Sequence, residues 1–165
     1  MPIGPTGHPL AGFGDRFLAY LIDSLIMSLI GSVVACPIVI VMLAAVVNNG
    51  GENNELTPGG ILALVAGYGA FFVLSFVITY LYFVEYQLRS GQTVGKRVMS
   101  LRVLPVSARP LDRGTLARRY LVQFVAGGFV PFFSFVDGLW QLWDQPLQQT
   151  LHDKAAQTVV AKVVQ

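Results

Sequence analysis

The sequence predicts an all-α membrane protein with two long transmembrane helices, a broken third helical region and a small cytoplasmic β-strand pair. Three observations predict it. Charged residues make up 12% of the chain, about half the usual share of a soluble domain, while 54% are hydrophobic. Residues 24–47, 56–84 and 120–136 carry no Asp, Glu, Lys or Arg at all. A spanning helix needs about 20 apolar residues, a length that the first two runs exceed and the third misses. Finally, VMSLRVLPV (98–106) and TVVAKVV (158–164) lie outside these runs and have the β-branched composition of strands. Each is too short to be stable alone, so they are expected to pair.

In chain order, residues 1–14, with Pro2, Pro5 and Pro9, read as a cytoplasmic lead-in. They lack the basic start of a secretory signal, and the apolar run behind them is too long for one, so the first span is taken as retained. The first helix is expected over 15–47, with Asp15 suited to a helix N-terminus. At that length it must tilt, kink near Pro37 or emerge at one end. Cys36 has no second cysteine to pair with and reads as a small buried apolar residue. Residues 48–59 form an external loop and residues 60–88 the second helix. Ser24, Ser28 and Ser32 on the first helix form a stripe of small residues, as do Ala63 with Gly67 and Ala66 with Ala70 on the second. Such stripes permit close helix contact, read here as packing between the two helices, with a homodimer contact as the alternative. Tyr80, Tyr82, Phe83 and Tyr86 resemble an interfacial belt, with Glu85 and Arg89 at i, i+4 marking the exit from the membrane.

Residues 89–119 hold eight of the eleven Lys and Arg, whereas the loop between the first two runs has two glutamates and no base. Positive-inside reasoning puts the basic connection and the N-terminus in the cytoplasm. Nothing in the basic segment is interleaved with aromatics in the way nucleic-acid binding would require. The region 120–144 is interrupted by Gly127-Gly128 and by Pro131. A straight span would leave the tail, 145–165, outside; a helix–break–helix hairpin would return it inside. Strand pairing needs the second arrangement, which is favoured.

GQTVGKR (91–97) invites a phosphate-loop reading and fails it. Three residues rather than four separate the glycines, and Arg97 rather than Ser or Thr follows Lys96. Gly91 and Gly95 read instead as a tight turn, with Lys96 and Arg97 at anionic lipid headgroups. His8 and His152 are far apart, and no Cys pair, HExxH helix or serine elbow occurs. No metal, cofactor or enzymatic activity is expected. What remains are charges within or bordering the apolar regions, above all Arg16 and Asp23. They are two helical turns apart on one face. Arg16 can snorkel to the interface, while Asp23 lies deeper and must be paired, protonated or facing water, which marks it as a functional candidate.

DRFLAYLIDSLI, GQTVGKRVMSLRVL and QTLHDKAAQTVV together resemble, in order, the signature segments of the RDD family of bacterial membrane proteins. The resemblance implies that Arg16 is the family arginine, Asp23 its first aspartate and Asp153 its second, with Asp137 as the fallback. It also implies residence in the bacterial inner membrane, and proton-coupled exchange of sodium or another monovalent cation, an activity proposed for some members. On that basis Arg16 is expected to pair with Asp153, leaving Asp23 as the exchanging carboxylate beside Ser24 and Ser28. Three apolar regions rarely enclose a path, so transport implies a homo-oligomer. The alternative is a non-transporting module that scaffolds partners or binds lipid.

Overall fold

The structure is a computed structural model, and residues 2–5, 7–49, 57–107 and 109–163 are described. The chain divides into two compact units: Leu25–Thr79, and Met1–Ser24 together with Tyr80–Gln165.

The first of these units holds α1 (Phe13–Asn48) from Leu25 onward and α2 (Pro58–Tyr80) as far as Thr79. The helical runs Phe13–Asn48 and Pro58–Val98 are each long and apolar enough to cross a membrane. α1 continues through Pro37 without ending. Large apolar side chains of this unit point outward: Val33 is 75% exposed, Leu62 69% and Phe72 70%. That inverts the soluble pattern and suits hydrocarbon as the solvent. Cys36, expected to be buried, is exposed for the same reason. Gly67 lies against Met42 so closely that a Cβ would overlap the methionine side chain. Small-residue packing therefore operates at Gly67, whereas Ser32 bonds back to the Ser28 carbonyl of its own helix. The Thr57 hydroxyl donates to the Asn49 carbonyl. Residues 50–56 of the expected external loop, including both glutamates, lie outside the described residues.

The other unit begins where α2 gives way to a π-wound turn, Leu81–Tyr86, and then α3 (Gln87–Ser90). It continues through α4 (Val94–Val98), β1 (Leu101–Pro105), α5 (Arg113–Tyr120) and a second π-wound turn, Leu121–Ala126. α6 (Gly127–Phe129), α7 (Phe133–Trp140), α8 (Leu151–Ala156) and β2 (Thr158–Lys162) complete it. The expected strand pair is present: β1 and β2 run antiparallel, with Val103 opposite Val160. Leu101, Val103 and Val160 are buried with Ala11 and Ala19 as a small core.

Three expectations need correction. Residues 1–14 are more than a lead-in. Leu10 bridges Ala161, the Ala11 amide donates to the Val160 carbonyl at 2.9 Å, and the Lys162 amide donates to Pro9 at 2.8 Å. The exposed edge of β2 is thereby paired, which a two-stranded ribbon needs. In the third region the glycines do not make the break, since Gly127 and Gly128 are helical. The chain turns at Val130–Phe132, because a residue before proline is driven to extended backbone: Val130 has φ −109° and ψ 112°. Neither arm qualifies as a span. Ser134 of α7 returns to Gly127, where its Oγ would lie 3.0 Å from an added Cβ. Lastly, the aromatics of 80–86 pack inward. Phe83 meets Phe124 at 4.5 Å between ring centroids and Tyr80 meets Tyr120 edge-on at 5.8 Å. Glu85 pairs with Arg113 at 2.7 Å; the π winding alters the i, i+4 relation expected with Arg89.

Candidate functional site

Asp153 is the most heavily engaged carboxylate. Thr150 caps α8, its hydroxyl accepting the Asp153 amide at 3.2 Å while the Asp153 carboxylate receives the Thr150 amide. This reciprocal cap fixes the carboxylate in the interior, with no exposed surface. Arg16 donates to one of its oxygens at 3.2 Å and Arg119 to the other. Arg119 also reaches the Thr158 hydroxyl. The remaining donors of Arg16 go to the carbonyls of Ala11, at 3.1 Å, and Val160, at 3.2 Å. One guanidinium thus ties α1, the N-terminal segment, β2 and α8 together. Burial on its own would raise the Asp153 carboxyl, but Arg119, His152 and Arg16 together hold it well below the usual carboxylate range.

Asp23, 3% exposed, is held by a different set of donors. Its Oδ1 accepts from the Tyr82 hydroxyl at 2.6 Å and the Gly95 amide at 2.8 Å, and its Oδ2 from the Thr93 hydroxyl at 2.5 Å. The Tyr82 oxygen in turn accepts the Val94 amide at 3.1 Å. Here the GQTVGKR segment finds its physical reason. Thr93 caps α4, and Asp23 takes the free amide of that short helix's first turn. A Cβ at position 95 would collide with the Ala19 carbonyl and lie 2.9 Å from the Asp23 carboxylate, so only glycine lets the turn approach α1. Gly91, at φ +70°, ends α3 in the left-handed region, where Val103 donates to its carbonyl. Ser24 and Ser28 make no contact with Asp23 among the described hydrogen bonds.

Asp137, only 3% exposed, sits on α7. It accepts the His152 amide at 2.9 Å, and His152 Nδ1 lies 2.6 Å from its other oxygen. His152 Nε2 is 3.9 Å from Asp153. A cavity of about 610 Å³ opens among these groups, lined by Arg16, Asp23, Lys96, Arg119, Asp137, His152 and Asp153 with a wall of phenylalanines. Lys96, expected at the headgroups, therefore faces this cavity, because the capped turn at Thr93 swings the first residues of α4 inward. Arg97, one residue on, is exposed, its guanidinium 5.9 Å above the Tyr86 ring. No cluster of three metal-binding side chains occurs among the described residues.

Arg119, Thr93, Tyr82 and His152 escape the sequence reading. Arg119 looked like one of many cytoplasmic charges, although a buried carboxylate facing several donors is a reason to seek a second arginine. Thr93 carried a usable signal: a threonine two residues before Gly95 is a helix cap placed against a required close approach.

The family model of the RDD family matches residues 10–157, nearly the whole chain and both units. The chain belongs to the RDD family. It is accordingly a membrane protein, and its family name gives no settled activity. No curated protein and no solved structure matches it.

Proposed function

We propose that this RDD protein exchanges monovalent cations such as sodium for protons across the bacterial cytoplasmic membrane, working as a homo-oligomer and not as an enzyme. The N-terminus, the basic connection and the tail face the cytoplasm in this reading. The observation that supports it is the pair of buried Asp137 and partly buried His152 at the wall of the cavity. A carboxylate and an imidazole in contact at a cavity wall can share one proton or release it to a competing cation. Asp23 is assigned a different part from the exchanging one. Three fixed donors already occupy its oxygens, so a cation there would have to displace hydrogen bonds made by the backbone and two hydroxyls. The two long apolar helices among the described residues enclose no path alone, which is why the exchange reading requires several copies.

Purified protein in sodium-loaded liposomes, with proton flux followed by an internal dye, tests this. Asp137→Asn keeps a hydrogen-bonding group and should abolish coupled flux while the protein still folds. Full flux from that variant would remove Asp137 from the mechanism. The saturation of Asp23 and Asp153 favours a second reading, a non-transporting module whose signature charges are architectural. Absence of flux from the native protein in every salt would favour that module.

A further inference from the structure

We infer that the cavity is a binding site for an anionic phospholipid whose headgroup carries a hydroxyl, with its phosphate on Lys96. The inference goes beyond cation exchange and does not depend on it. Lys96 lines the cavity, yet no carboxylate among the described residues lies within ion-pair distance of its ammonium. The nearby acids are already engaged. Asp153 is divided between Arg16 and Arg119, and Asp23 between Tyr82, Thr93 and Gly95. Asp23 and Asp153 attract this ammonium from beyond contact while Arg119 and Arg16 repel it. A partly buried cation without a direct ion-pair partner is costly, and an entering anion reduces that cost.

The cavity also states what else the ligand must offer. Its wall includes Phe13, Phe17, Phe83, Phe124 and Phe135, an apolar surface for an acyl chain. A free phosphate has nothing to place there. Gln141 lines the same space, and its side-chain oxygen is buried with no partner while its amide donates to the Gly138 carbonyl at 2.8 Å. A buried acceptor without a donor is expensive, and a headgroup hydroxyl supplies one. The volume, about 610 Å³, falls in the ordinary range of small-ligand sites. It accommodates a headgroup and the first part of a chain, the rest continuing into the bilayer. Phosphate, hydroxyl and hydrocarbon together describe phosphatidylglycerol better than a zwitterionic lipid, whose quaternary ammonium would meet Lys96, Arg16 and Arg119.

The test uses the full chain in detergent after extensive delipidation. Phosphatidylglycerol, phosphatidic acid, phosphatidylcholine of the same chains and inorganic phosphate are added separately, with bound mass read by native mass spectrometry and melting by fluorescence. Phosphatidylglycerol should be retained at one per chain and raise the melting temperature, while phosphatidylcholine and inorganic phosphate should do neither. Lys96→Gln should weaken retention by about tenfold or more, whereas Arg97→Gln, on the exposed side of α4, should leave it nearly unchanged. Gln141→Leu should erase the preference for phosphatidylglycerol over phosphatidic acid, and serves if Lys96→Gln does not fold. Equal loss in Lys96→Gln and Arg97→Gln would mean surface attraction only and overturn the site. So would undiminished retention in Lys96→Gln, and protection by inorganic phosphate equal to that by lipid would overturn the amphiphile.

Discussion

An arginine and an aspartate two turns apart on a membrane helix do not serve one another; each serves a segment far away in sequence. Arg16 gathers α8, β2 and the N-terminal segment, while Asp23 receives the turn before α4. Removing one member of the Arg16–Asp153–Arg119 cluster strands the others. Asp153→Ala should cost about 3–5 kcal/mol, as expected when a buried pair is broken. Arg16→Ala and Asp153→Ala combined should cost clearly less than the sum of the single variants, measured by denaturant unfolding in detergent. Strict additivity would mean that the two side chains do not share an interaction. The cluster also sets a pH dependence. Because the Asp153 carboxyl is held below its ordinary value in the folded chain, the stability it contributes is complete above about pH 4. It is lost as pH falls further and the carboxylate is protonated. Melting curves should therefore be flat in this respect from pH 5 upward and fall below pH 4, and Asp153→Asn should lose that acid-side decline. At Gly95 the cost is steric. Gly95→Ala should destabilise by more than the usual overpacking range of about 1–3 kcal/mol, since its Cβ meets backbone rather than a yielding side chain.

The elements that carry these residues are short, and their stability comes from one another rather than from propensity. α4 has five residues and α8 six, yet each begins with a threonine cap and presents its first-turn amide to a buried carboxylate. β1 and β2 would be a marginal ribbon without the N-terminal segment. Leu10 is 1% exposed and Ala11 fully buried, so this segment behaves as part of the sheet. Deleting residues 2–10 should lower the melting temperature and speed amide exchange at Lys162, the β2 residue whose amide donates to the Pro9 carbonyl. Unchanged exchange there would show that the segment only rests on the surface. The proline-directed turn at Val130–Phe132 belongs to the same scale. Pro131→Ala frees Val130 to return to helical backbone, and should lengthen the first arm at the expense of the Ser134–Gly127 contact.

On the scale of the molecule, the two apolar helices, the strand pair and the basic connection were legible because composition and period report burial in lipid and pairing in sheets. Arg16 and Asp153 stand out as charges within or bordering the apolar regions, but their pairing was legible only through the resemblance of the signature segments. What stayed hidden was long-range partnership. Nothing local in LARRYL distinguishes Arg118, on the outside, from Arg119, which is 4% exposed. Likewise no spacing rule links Tyr82 or Thr93 to a carboxylate some sixty or seventy residues earlier. The β1–β2 pairing has one consequence for the whole chain. Strands that exchange backbone hydrogen bonds must end on the same side of the bilayer, so Ser107 and Lys162 share a compartment whatever the depth of the α7 hairpin. With Cys36 replaced by serine, single cysteines at His8, Ser107 and Lys162 should all react with an impermeant reagent only after inside-out vesicles are made or the membrane is opened. A cysteine at Thr57, at the start of α2, should react from outside in intact cells. Reaction of the Lys162 position from outside, with Ser107 protected, would be incompatible with the sheet; reaction of all three from outside would keep the sheet and reverse the orientation.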